Sequence, residues 1–267
     1  MITDGDLVVA AAAAGAAVVR ARYGGPLARV EKSAGDFATE ADIEAERAVV
    51  DLLRAARPDD AVVGEESGRT GAGGAGRTWL VDPLCGTLNY AARSMLVAVN
   101  VALRTSGGVT VAACADPFAG EVFWTDGSGA YVRRDGVDEA LTPTADSRLV
   151  DVNLDPPFPN GPGFRAVRLL AHDGFVERFR PRVVSTTLAV AWVAAGRRAA
   201  YVTDGHLQDS VHFAAGIALC RAAGCVVTGL AGQPPHTGVG GLVVAADRPT
   251  HAALLALVDD QLSAGAR

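Results

Sequence analysis

The stretch Trp79-Leu80-Val81-Asp82-Pro83-Leu84-Cys85-Gly86-Thr87-Leu88-Asn89-Tyr90 decides how this chain reads. From Thr78 through Val81 it is apolar or β-branched, the composition of a buried strand. Asp82-Pro83 is expected to end that strand, because proline has no N–H to give to a sheet. Asp82 is then presented at a strand's carboxyl end, where open α/β sheets place ligands. Gly86 and Thr87 follow as a tight turn whose N–H groups can face an anion, especially where a helix begins. A carboxylate for a cation beside amides for a phosphate is the layout of phosphoryl transfer.

The rest of the chain is compatible with a compact enzyme. Its 267 residues can bury a sizeable core, as one large domain or two closely packed halves. Apolar residues make up 49% and charged ones 20%, ordinary for a globular protein. A net charge of −6 with no basic run argues against a nucleic acid polymer as partner. Cys85, Cys114, Cys220 and Cys225 show no CxxC spacing, so a reducing cytoplasm is the expected compartment. The apolar run at 7–19 follows Asp4 and Asp6 rather than a basic start, which suits a helix capped by Thr3 or Asp4 better than a signal sequence. No stretch is long enough to span a membrane.

In chain order, the patterning predicts a helix over 4–22, a short extended piece at 30–32, and a helix from about Asp42 to Arg57. Asp, Glu and Thr crowd the start of that second helix, which capping alone can explain. A short strand at 61–64 runs into Glu65-Glu66, a solvated turn unless a cation neutralises it. A glycine-rich loop is expected over 68–76. Strands follow at 97–103, 109–114, 121–124 and 130–132, and 141–148 bridges to the second half. That half reads as a strand from 149, a proline-rich loop at 156–162 and a helix at 164–171. Next come a helix reaching 195–196, a strand at 199–202 before Asp204-Gly205, and a small-residue helix at 211–224. A strand at 241–245 and a helix at 250–262 close it. The division expected is 1–145, carrying the phosphate and metal motifs, and 146–267, completing the site.

The opening stretch resembles the DP(I/L)DGTxNF signature of the inositol monophosphatase superfamily of metal-dependent phosphatases. Asp82, Pro83, Leu84, Gly86, Thr87 and Asn89 match, and Tyr90 matches conservatively. Gly64-Glu65-Glu66-Ser67 resembles the family's GEES motif, and Lys32, Asp36, Thr39 and Asp42 its Lys…Gly-Asp-x-x-Thr-x-x-Asp motif. The resemblance implies that Glu65, Asp82 and the Leu84 carbonyl bind a first Mg²⁺. It implies that Thr87 with Asp42 orients an attacking water, and that Gly86 and Thr87 hold the phosphate. It also implies an α/β (α+β) fold layered α/β/α/β/α, a site between the halves, a homodimer, and a small phosphorylated molecule as ligand.

The chain departs from the family twice. The second aspartate of the first signature is Cys85. In the second signature, WDxAAGxxLxxEAGG, alignment on Ala214-Ala215-Gly216 puts His212 at the aspartate, with Asp209 three residues upstream as a substitute if the loop shifts register. Thiolate and imidazole suit Mg²⁺ poorly, whereas Asp82, Cys85 and His212 make a plausible zinc set. Three readings stay open: ligand decay with Cys85 and His212 filling space, a phosphatase with one metal or an altered one (Mg²⁺ weakly held, Zn²⁺, or none), and new chemistry with Cys85 as nucleophile or acid–base group beside His212. Myo-inositol phosphate is a doubtful substrate, because in the family the aspartate replaced by Cys85 and a glutamate near Asp204 contact the inositol hydroxyls; Asp204 itself is the expected substrate contact in that region. A small phosphorylated polyol, sugar or nucleotide is expected instead. The alternative is a phosphatase-fold protein that binds a phosphorylated ligand or catalyses a non-hydrolytic step.

Overall fold

The computed structural model describes residues 2–26, 28–33, 36–71, 76–154, 164–205, 207, 210–237 and 240–265. The elements run α1 (Asp4–Arg22), β1 (Arg29–Ser33), β2 (Asp36–Thr39), α2 (Glu40–Ala56), β3 (Ala61–Gly64), β4 (Gly68–Thr70), β5 (Thr78–Cys85), α3 (Thr87–Ala91), β6 (Ala98–Thr105), β7 (Gly108–Asp116), β8 (Glu121–Thr125), β9 (Ala130–Arg134) and β10 (Val137–Ala140). They continue with β11 (Leu149–Val152), α4 (Ala166–Leu169), α5 (Asp173–Arg178), β12 (Arg180–Val183), α6 (Leu188–Ala194), β13 (Ala200–Thr203), α7 (Ala214–Ala222), β14 (Val226–Thr228), β15 (Leu242–Ala245) and α8 (Arg248–Gly265).

Two compact units result. The first comprises Met1–Ala140, Thr186–Leu188 and Val211–Leu219; the second comprises Leu141–Ser185, Ala189–Ser210 and Cys220–Arg267. The contiguous cut after residue 145 is therefore not how the chain divides. Two short later stretches belong to the first unit, because Thr187 is hydrogen-bonded to Asn100 and Ala215 and Ala218 pack on Leu80, Ala102 and Ala112.

The first unit is built on an eight-stranded sheet ordered β10-β9-β8-β7-β6-β5-β3-β4. Helices α1 and α2 cover one face, burying Leu7, Val8, Val49 and Leu53 with Trp79, Val81, Val99 and Val101. Ala215 and Ala218 of α7 pack on the other face. Strand β5 is thus covered on both sides, which is why it is a continuous apolar run and does not alternate. Helix α1 starts where expected: Thr3 Oγ1 accepts from Asp6 N at 3.0 Å, with Asp4 and Asp6 in the first turn and Arg20 and Arg22 in the last.

Pro83 does not end β5. The strand continues to Cys85, and its pairing with β6 slips between Asp82 (opposite Asn100) and Cys85 (opposite Ala98). Three steps on β5 face two on β6, a bulge that absorbs the missing N–H of proline. The expected loop at 68–76 is also corrected at its start. Gly68–Thr70 is strand β4, antiparallel to β3, because backbone pairing to an edge needs no side-chain pattern. Residues 72–75 of that loop, like 155–163 of the proline-rich one, lie outside the described residues.

The second unit holds a five-stranded mixed sheet ordered β12-β11-β13-β15-β14. Val150, Val152, Ala200, Val202 and Val243 form its core with Leu169, Phe175, Leu254 and Val258 from α4, α5 and α8. The helix expected over 164–171 is shorter, α4, and a separate α5 follows it. Among the described residues, no helix is long and apolar enough to cross a membrane.

Candidate metal and phosphate site

Strand pairing sets two carboxylates side by side. Strands β3 and β5 are parallel with Gly64 opposite Val81, and Glu65 N donates to Val81 O at 3.0 Å. Glu65 therefore leaves β3 beside Asp82 of β5. Gly64 makes room for a third carboxylate, since a Cβ there would stand 2.5 Å from Glu46 Oε2. Glu46 is buried and accepts from Glu66 N and Ser67 N, each at 2.8 Å, fixing the turn that carries Glu65. Lys32 Nζ bonds Glu65 Oε1 at 3.0 Å and Glu66 Oε1 at 2.6 Å.

Around Asp82 the donors converge. His212, on the turn before α7, sets Nδ1 2.8 Å from Asp82 Oδ2. Asn100 Nδ2 donates to the same oxygen at 3.2 Å and to Thr187 Oγ1 at 2.7 Å. Thr187 N in turn donates to Cys85 Sγ at 3.3 Å. One oxygen, sulfur or nitrogen from each of Asp82, Cys85 and His212 lies within 4.8 Å of the others.

The bulge delivers a second arrangement immediately downstream. Gly86 takes φ +109°, a left-handed conformation that side chains disfavour, and turns the chain into α3. Thr87 Oγ1 then lies 2.9 Å from Asp42 Oδ1 and 3.2 Å from Leu84 O. Asp42 Oδ2 accepts from Thr39 N at 2.8 Å and Thr39 Oγ1 at 2.5 Å, the reciprocal half of a capping box. Capping and support of Thr87 are thus done by different oxygens of one carboxylate.

The charges follow from burial and neighbours. Burial opposes ionisation of Asp82, but the charge and hydrogen bond of His212 outweigh it and hold the carboxyl below its ordinary range. Burial likewise opposes a charged His212, yet Asp82 raises its pKa well above the usual value, so the two form an ion pair. Burial first and the Asp82 charge second push Glu65 up to about 8. Burial, with Asp82 again adding to it, raises the Cys85 thiol. Asp42 is raised by burial against the pull of its Thr39 and Thr87 bonds.

The oxygen donors fit a hard divalent cation. Glu65 Oε2 is buried and accepts no hydrogen bond among the described residues, beside the anionic Asp82. The Leu84 carbonyl keeps a lone pair beyond its contact with Thr87. Sulfur at Cys85 and nitrogen at His212 do not suit Mg²⁺, which takes oxygen ligands in near-octahedral geometry.

The structure thus brings together Glu65, Asp82, Leu84, Cys85, His212, Gly86, Thr87 and Asp42 within the first unit. Asp204 belongs to the second unit, where it follows β13. Its Oδ2 accepts from Ala166 N at 3.3 Å, its buried Oδ1 has no hydrogen-bond partner among the described residues, and burial raises its pKa. Asp209 lies outside the described residues. Glu46, Asn100 and Thr187 escape a reading from sequence. The only signal for Asn100 is a polar residue inside an apolar strand, and Thr187 sits 87 residues further on.

Comparison with known proteins places this site in context. The model of the inositol monophosphatase family matches residues 5–263. An inositol-1-monophosphatase of Caulobacter vibrioides is 32% identical over 84% of this chain and 88% of its own. Nus factor SuhB of Salmonella typhimurium is 31% identical over 87% and 86%. In solved structures, the suhB extragenic suppressor protein of Bartonella henselae superposes with a TM-score of 0.82 at 24% identity, covering 94% of this chain and 96% of that one. An IMPase of Thermotoga maritima gives 0.80 at 23%, covering 97% and 98%. The fold is accordingly the α/β layered one of these proteins, and relatives named as phosphatases support a phosphatase-type function. By sequence and by fold, this chain belongs to the inositol monophosphatase family.

Proposed function

We propose that this chain hydrolyses a phosphomonoester of a small polyol, sugar or nucleotide, holding one hard divalent cation, Mg²⁺ by preference, through Glu65, Asp82 and the Leu84 carbonyl. The observation that carries the reading is Glu65 Oε2, buried beside Asp82 with no hydrogen bond among the described residues and 3.8 Å from His212 Nδ1, a paired-carboxylate position that a cation can take over from a proton. When bound, such a cation supplies charge to phosphoryl oxygens and acidity to a water. The chain's own groups do the rest. Thr87 Oγ1 donates its one proton in a hydrogen bond to Asp42, so toward a water it is an acceptor: it orients that water and relays its proton, passing its own to the Asp42 carboxylate as it takes the water's. The amides of Gly86 and Thr87 are the donors assigned to the phosphate. Leu88, Met95 and Leu96, 57%, 56% and 41% exposed within one short stretch of chain, are the residues a homodimer contact would cover.

A second reading has its own support. The Asp82–His212 pair at 2.8 Å already gives Asp82 a cationic partner, which favours a protein that binds a phosphorylated ligand without metal-dependent hydrolysis. The double variant Cys85→Asp, His212→Asp separates the two. The phosphatase reading expects its Mg²⁺-dependent phosphate release to exceed that of the parent protein by at least about tenfold, since it adds two oxygen ligands. A folded variant that gains nothing counts for the second reading.

A further inference from the structure

Beyond the oxygen ligands, the same site carries donors of a different chemical kind. Asp82, Cys85 and His212 offer one oxygen, one sulfur and one nitrogen within 4.8 Å of each other. Around a tetrahedral zinc, bond lengths of about 2.0 Å to N and O and 2.3 Å to S put donor atoms roughly 3.3–3.5 Å apart. To admit an ion, the 2.8 Å between His212 Nδ1 and Asp82 Oδ2 has to open by about half an ångström, and the wider spacings of the trio, up to 4.8 Å, have to close toward the same value. Three side-chain ligands are the count of a catalytic zinc and not of a structural one.

The surroundings are those of a ligand set already oriented. Thr187 N donates to Cys85 Sγ at 3.3 Å, a hydrogen bond that would hold the thiolate once a metal displaces the thiol proton. Asn100 joins Asp82 Oδ2 to Thr187 Oγ1, so one amide steers both the carboxylate and the residue that faces the sulfur.

We propose that Asp82, Cys85 and His212 form a three-ligand site for a borderline-soft divalent cation of the zinc class, a second metal position beside the hard cation assigned to Glu65, Asp82 and the Leu84 carbonyl. The proposal rests on the reading of this pocket as a metal centre and changes which metal its second position takes. Softness decides the selectivity: thiolate and imidazole favour Zn²⁺ or Co²⁺ over Mg²⁺ whatever the excess of the latter.

The test is a Co²⁺ titration of the chelator-treated, full-length protein, followed by absorbance, with Mg²⁺ present in large excess. One equivalent is expected to produce a sulfur-to-cobalt charge-transfer band in the near ultraviolet and the intense visible bands of tetrahedral Co²⁺. One equivalent of Zn²⁺ should abolish both. Cys225 is the other partly exposed cysteine, so Cys225→Ser should keep the band while Cys85→Ser removes it. His212→Ala should weaken Co²⁺ binding more than about a hundredfold, beyond the cost of losing an outer partner. A folded parent protein without the band, or a band that survives Cys85→Ser, overturns the proposal. Phosphate release with Mg²⁺ is read separately. Turnover without a band sinks this inference and leaves the phosphatase reading standing, whereas a band without turnover keeps the site and removes the hydrolysis.

Discussion

His212 Nδ1 and Asp82 Oδ2 lie 2.8 Å apart although 130 residues separate them in the chain. Asp82 is fully buried, so this imidazolium is the closest compensation for its charge. Removing it leaves a buried anion supported by Asn100 and the Leu84 amide. His212→Ala is therefore expected to cost about 3 kcal/mol in chelator-treated protein, the lower end for a broken buried pair. A fall of roughly 5–10 °C in Tm corresponds to that loss for a chain of this size. An unchanged melting curve would show that Asp82 takes up a proton or finds another partner at little cost.

Thr87 and Asp42 make a separable claim about chemistry. Thr87→Ala removes the hydroxyl that Asp42 polarises and should lower kcat for phosphate release by about 10²–10⁴-fold with KM little changed. Thr87→Ser should retain most of the rate because it keeps the donor and both lone pairs. Equal losses in both variants would assign the residue a packing role only.

Glu65 sets a pH dependence whose sign is fixed. Its carboxyl is pushed from 4.5 to about 8 in the fold, so the folded chain holds this proton more tightly than the unfolded one. Between those values chelator-treated protein should lose stability as pH rises. A cation needs the carboxylate, so Mg²⁺ affinity should climb about tenfold per pH unit up to about 8 and then level off. Calorimetric titration from about pH 6 to about pH 9 reads this slope. Glu65→Gln should abolish the binding, and a flat profile for the parent protein would contradict the assignment.

Gly64 tests how the Glu65 turn is held. A methyl at this position meets the Glu46 carboxyl at 2.5 Å and must drive it off the Glu66 and Ser67 amides. Gly64→Ala is expected to destabilise by about 2–4 kcal/mol, from overpacking together with two amides left unpaired. Thermal denaturation with and without Mg²⁺ checks this, and a Tm within a degree or so of the parent would refute the account of the turn.

What the sequence reveals here is what local pattern can carry. Strand β5 declares itself because both of its faces are buried, and α1 because Thr3 and Asp6 cap it. Strand β10 does not, since all four of its residues are exposed, and β12 holds Pro181 among two arginines. Both lie at sheet edges, where backbone hydrogen bonds suffice and no apolar alternation is needed. The bulge at Pro83 is hidden for a related reason: proline reads as a stop, yet a neighbouring strand can skip a residue to accommodate it.

The site divides in the same way. Glu65, Asp82, Thr87 and Asp42 stand in short motifs, so spacing alone singles them out. Cys85 and His212 stand out by breaking those motifs. Asn100 and Thr187 are invisible until β6 is laid against β5 and the turn before α6 is brought beside it, since their role exists only as hydrogen bonds across long sequence distances.

The measurement that bears most directly on the account is phosphate release from a panel of sugar, polyol and nucleotide monophosphates, with Mg²⁺, Mn²⁺ and Zn²⁺ supplied in turn. At least one substrate should be turned over, and that turnover should disappear with chelator and with Glu65→Gln. A folded protein that releases no phosphate from any member with any of the three metals would contradict it.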